Sequence, residues 1–180
     1  MSADADPRTG PAPDAPVDAP ARTSGRGRER VLDGVGLLAR LVLGGVLIAA
    51  GLPKLLDVTG SIQNVIAYEL FSYEIARLIG TVLPVVEIAL GGLLVVGVFT
   101  RASAALGGLL MVVFIAGIVS AWSRGLAIDC GCFGTGGPID PEDTTYLLDI
   151  VRDLIFLALA AWLVVRPRTL IALDTLMKGR

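Results

Sequence analysis

Four apolar runs, each about as long as a helix that crosses a bilayer, constrain this chain more than any other feature. They extend roughly from Asp33 to Leu56, Ile75 to Phe99, Ala102 to Trp122 and Tyr146 to Val165. A helix rises about 1.5 Å per residue, so about 20 residues cover about 30 Å of hydrocarbon. Backbone polar groups in lipid must be paired inside the segment, which allows only helices or closed barrels. The runs lack the period-two alternation of barrel strands. They predict an all-α, polytopic membrane protein built as a four-transmembrane-helix bundle. Composition agrees, with 18% charged residues against about 25% in soluble domains.

The remainder divides around those runs. Residues 1–30 hold Pro7, Pro11, Pro13, Pro16 and Pro20, with acids first and arginines last. That composition cannot offset the entropy of ordering, so it predicts a disordered tail. The apolar run behind it is long enough to span, so it predicts an uncleaved anchor rather than a signal peptide. The membrane domain is placed at 31–168 and a C-terminal tail at 169–180.

Lys and Arg in the flanks set orientation. The arginines of the tail, Arg101, Arg166, Arg168, Lys178 and Arg180 fall on one side. Lys54, Arg77 and Arg124 fall on the other, among seven acids. Both termini are therefore expected to be cytoplasmic, in a multi-pass protein of the plasma (inner) membrane. Small residues along the spans, such as Gly44, Gly51, Gly91 and Gly108, allow helices to approach closely in lipid.

Arg40, Glu87 and Arg152 lie inside apolar runs. An intramembrane charge usually faces the bundle and finds a partner. The expectation is that Glu87 pairs with Arg40 or with Arg152, either as a register-fixing pair or with Glu87 as a proton acceptor or a polar anchor for a ligand head group. Asp57 to Ile75 reads as a short amphipathic helix, with Tyr68 and Tyr73 at an interface.

The chemistry concentrates in Asp129-Cys130-Gly131-Cys132-Phe133-Gly134, which holds the only two cysteines. The assigned orientation puts both on the extracytoplasmic side, where disulfides persist. A disulfide wants Cα atoms about 4.4–6.8 Å apart, which residues two apart meet only in a narrow set of backbone shapes. Such a bond would be strained and therefore of the labile or catalytic kind. Asp129 disfavours a thiolate at Cys130, which makes Cys132 the expected attacking sulfur. An inert disulfide or a partial metal site are the alternatives. With no His and no further Cys, a tetrahedral zinc shell is incomplete, and no metal ligands are assigned. The lack of His also removes the usual general base. No basic patch interleaved with aromatics points to nucleic acid.

With Arg40 and Gly51-Leu52-Pro53-Lys54-Leu55, Leu83-Pro84-Val85-Val86-Glu87 with Gly91, Thr100-Arg101 and the cysteine motif, the chain resembles the DoxX-like membrane proteins. Within them it is similar to the MauE, methylamine utilisation, family, over about Val31 to Arg168. The resemblance implies a four-helix membrane protein tied to disulfide chemistry outside the membrane. It also implies a thioredoxin-like partner and a role in maturing an exported enzyme such as methylamine dehydrogenase. The residues thus predict a thiol-disulfide oxidoreductase with Cys130 and Cys132 as catalytic groups. Electrons from the pair need a carrier, for which a quinone near Glu87 and Arg40 is the simplest. The competing class is a non-catalytic accessory or assembly subunit whose loop docks a partner.

Overall fold

The structure, a computed structural model, describes residues 23–133 and 136–166. Five α-helices account for most of it: α1 (Thr23–Leu56), α2 (Val58–Ala67), α3 (Tyr73–Val96), α4 (Thr100–Ser123) and α5 (Tyr146–Val165). Two two-residue strands, β1 (Ile128–Asp129) and β2 (Gly137–Pro138), pair antiparallel in the α4–α5 connection. Among the described residues, three helices are long and apolar enough to cross a membrane: α1 from Gly27, α3 and α4. The fold is that of an all-α, multi-pass membrane protein, with large apolar side chains such as Leu38, Leu78 and Leu109 exposed on its outside. The fourth expected span, α5, has the length of one but carries Asp149, Arg152 and Asp153 near its start.

Helix α1 begins at Thr23, inside the stretch expected to be an unstructured tail. The helix-forming run Arg28-Glu29-Arg30 continues directly into the apolar segment, and nothing between them breaks the helix. The rest of that tail, residues 1–22, and the C-terminal tail lie outside the described residues.

Glycines set how α1 and α3 meet. A Cβ on Gly44 would sit 2.8 Å from the Gly91 carbonyl oxygen, and a Cβ on Gly91 would sit 2.6 Å from that of Gly44. One on Gly51 would lie 2.8 Å from the Pro84 oxygen and 3.0 Å from the Glu87 Cβ. The two backbones therefore run antiparallel in direct contact, the close approach that small residues permit in lipid. On the far flank, a Cβ on Gly108 of α4 would lie 3.1 Å from that of Ala160 in α5. Leu43, Leu47, Leu90, Leu94, Ala104, Met111, Ala160 and Leu163 fill the centre between the four long helices. Asp33 of α1 and Arg166 beyond α5 meet at 3.7 Å at the end opposite the cysteine loop.

The connection from α1 to α3 buries its polar face. Asp57 caps α2 by accepting from the Gly60 N–H at 2.9 Å. Gly60, Ser61 and Asn64 are buried while Ile66 is exposed. This inverts the usual arrangement in water, because in lipid it is the polar groups that need protein partners. Pro84 shows one such need. It has no N–H for the carbonyl four residues earlier, so the Gly80 oxygen lacks its helical donor. The Ser61 hydroxyl donates to that oxygen at 2.7 Å. Gly80 also lets α2 lie directly on α3, since a Cβ there would come within 2.7 Å of the Ile62 Cα.

Candidate functional site

The cysteine loop is pinned from two helices. The Tyr68 hydroxyl, at the end of α2, donates to the Cys130 carbonyl oxygen at 3.0 Å. The Tyr146 hydroxyl, at the start of α5, donates to the Leu126 carbonyl and accepts from the Ile128 N–H at 3.0 Å. The β1–β2 pairing closes the loop, with Ile128 opposite Pro138 and Asp129 opposite Gly137. Ile118, Ala121, Ile128 and Tyr146 form a small apolar floor beneath it. Tyr68 is a loop anchor rather than the interfacial residue expected. Burial, with the thiols and acids beside it, pushes its phenol up, so it stays a neutral donor.

Gly131 turns the chain between the two thiols with φ +64°. That is the left-handed region, where other residues cost about 1–2 kcal/mol. A Cβ here would also fall 2.7 Å from the side-chain nitrogen of buried Asn64. Cys132 is buried and Cys130 partly exposed.

The two sulfurs differ in a way the sequence did not reveal. The Cys132 side chain hydrogen-bonds toward Cys130, which lowers the Cys130 thiol. Burial opposes this. The Cys132 backbone N–H at 3.4 Å and the Arg152 guanidinium at 3.7 Å from the Cys130 sulfur add to the lowering. Cys132 shifts the other way, raised by its role as hydrogen-bond partner to Cys130 and by burial. The expectation favoured Cys132 as the attacking sulfur, whereas exposure and hydrogen bonding set Cys130 apart. Cys130 is the more exposed sulfur, with its thiol lowered, and Cys132 is the buried one, with its thiol raised. The main lowering comes from Cys132 itself, and the Arg152 guanidinium adds to it from another helix.

Arg152 is the residue that sequence reasoning placed but did not connect to the thiols. Its guanidinium donates to Asp149 at 2.9 Å and to Asp153 at 3.2 Å. It also lies 4.9 Å from the centre of the Phe133 ring. Thr145 donates to the other Asp149 oxygen at 3.1 Å. The pair of acids holds the cation where the loop returns over α5. Asp153 is 2% exposed, and its Oδ2 has no hydrogen-bond donor among the described residues. It lines a void of about 10 Å³ together with Cys132 and Glu87.

Glu87 pairs with neither expected arginine. Lys54 donates to its two carboxylate oxygens at 2.8 and 3.1 Å. The pair is almost fully enclosed, at 5% and 0% side-chain exposure. The glycine contacts explain the choice. Gly51 faces Glu87 directly, and Lys54 follows one turn later on the same face of α1. Arg40 lies about three turns before Gly51, about 16 Å along the axis, and is buried there. Lys54, assigned above to the outer flank, instead reaches inward and also lies 5.4 Å from the Phe114 ring centre. The structure therefore does not bring Glu87 and Arg40 together as one ligand site.

Residues 32–166 match the family model described as "Methylamine utilisation protein MauE", so the chain belongs to the MauE family. No curated protein and no solved structure matches it.

Proposed function

We propose that this MauE-family protein supports thiol-disulfide exchange outside the membrane through Cys130 and Cys132, with Cys130 as the sulfur that meets the partner. The observation that carries this is the asymmetry of the pair. One sulfur is partly exposed and lies beside a guanidinium, and the other is buried two residues away. A thiolate is the nucleophile in disulfide exchange. A second thiol beside it can then release the mixed disulfide.

In this reading α5 is a fourth span, whose charged first turns stay inside the bundle beneath the loop. The protein lies in the plasma membrane with both termini cytoplasmic and the loop on the extracytoplasmic face, as the Lys and Arg distribution supports. Residues 31–168 form the working domain. The partner is a thioredoxin-like extracytoplasmic protein, and the family name supports a place in methylamine utilisation, through maturation of an exported disulfide-bearing enzyme.

The test uses intact cells producing the full chain. A membrane-impermeant maleimide is expected to label Cys130 without lysis, and a Cys130→Ser/Cys132→Ser double variant is expected to leave the exported client without its disulfides. Labelling only after lysis would defeat the reading. A double variant that behaves like the parent would favour the accessory-subunit alternative.

A further inference from the structure

A cavity of about 360 Å³ lies between α2, α3 and α4 beneath the cysteine loop. Pockets of about 300–1,000 Å³ hold small molecules. Cys130, Gly131, Cys132 and Lys54 line it, and most of the rest is apolar. Leu70, Phe71 and Val113 also line it and are about half exposed, at 46%, 48% and 55%. They lie on the apolar exterior of the bundle, so the mouth faces lipid.

The chemistry of the pair restricts what such a cavity would take. Closing a Cys130–Cys132 disulfide breaks two S–H bonds and releases two electrons and two protons. The chain has only two cysteines, so no second thiol pair within it can receive them. A ligand that reaches the sulfurs from the bilayer must be apolar and must accept both electrons and both protons as one molecule. A quinone does this.

We propose that the cavity between α2, α3 and α4 is a quinone site in which a bound quinone ring oxidises the Cys130/Cys132 dithiol. The two S–H bonds break, one S–S bond forms, and the two ring carbonyls become the hydroxyls of a quinol. No other reactant is needed. The proposal rests on the exchange reading above, because the disulfide made here is the one passed to the partner. Lys54 reaches the lining with its ammonium already paired to Glu87. This site differs from the one expected in sequence, since neither Arg40 nor Glu87 lines the cavity.

The experiment uses the full chain, purified into lipid nanodiscs, reduced, freed of reductant and kept anaerobic. Two quinones with fully substituted rings, ubiquinone-1 and menaquinone-1, are added separately, and oxidised glutathione is added in a parallel sample. The expected result is one quinol per protein disulfide with at least one of the quinones. Val113→Trp and Ala116→Trp, both at exposed lining positions, are expected to slow quinone-driven oxidation tenfold or more while exchange with glutathione keeps its parental rate. A pair that glutathione disulfide oxidises but neither quinone does overturns the quinone site. Parental quinone rates in both tryptophan variants overturn its location. A pair that forms quinol but exchanges with no disulfide overturns the exchange reading and leaves the cavity assignment standing.

Discussion

The Arg152 guanidinium lies 3.7 Å from the Cys130 sulfur while bonded to Asp149 and Asp153. One cation thereby joins the cysteine loop to the charged start of α5. The Cys132 side chain and backbone N–H, with this guanidinium adding to them, hold the Cys130 thiol below its ordinary range against the effect of burial. Reactivity is then present at lower pH than for a free cysteine and is lost as pH falls through the lowered value. Arg152→Gln removes that support and raises the Cys130 pKa. Alkylation of Cys130 at pH 7 should fall by about tenfold if the rise is one unit. Arg152→Lys should retain part of the rate. A pH–rate profile for iodoacetamide on a Cys132→Ser background measures this, and an unshifted profile would show that Arg152 does not tune the thiol.

The Lys54–Glu87 pair is enclosed among helices, where a lone charge is costly. Lys54→Met should destabilise the folded bundle by about 3–5 kcal/mol by leaving the Glu87 carboxylate unpaired. Adding Glu87→Leu should recover most of the loss, because an apolar pair of similar volume replaces the ions. Unfolding of the detergent-solubilised protein by increasing dodecyl sulfate resolves the three variants. A single Lys54→Met that unfolds at the parental midpoint would contradict the pairing.

Ser61 donates to the carbonyl that Pro84 leaves without a helical donor. Ser61→Ala should cost about 1–3 kcal/mol, the penalty of an unsatisfied buried acceptor. In a Pro84→Ala background the restored backbone N–H serves the same oxygen, so the same change should cost less. Additive effects of the two substitutions, read from the same unfolding assay, would show that the hydroxyl does not serve this role.

Helix placement was legible because it follows from run length and from what lipid demands of the backbone. The start of α1 was not, because a Pro- and Arg-rich composition masks a helix-compatible stretch from Thr23. Gly44, Gly51 and Gly91 marked a close-packed seam, yet no single-chain pattern states which glycine meets which. Glu87 was recognisable as needing a partner, but Lys54 was misplaced. A lysine near a helix end reads as a flanking charge, whereas its four-carbon stem can reach inward as readily as outward. The order of the two thiols failed for a similar reason. Asp129 is adjacent in sequence and carried the argument, while Arg152 arrives through the return of α5. The polar inward face of α2 was hidden by a periodicity that reads as an apolar stripe.

The most direct test of the account lies in the division of labour between the sulfurs. Cys132→Ser and Cys130→Ser variants of the full chain, in membranes, are each mixed with an oxidised thioredoxin-fold protein and quenched with acid. The account predicts that Cys132→Ser, which keeps Cys130, accumulates a mixed disulfide visible on a non-reducing gel, and that Cys130→Ser forms little or none. Trapping through Cys132 alone, or through neither cysteine, would contradict it.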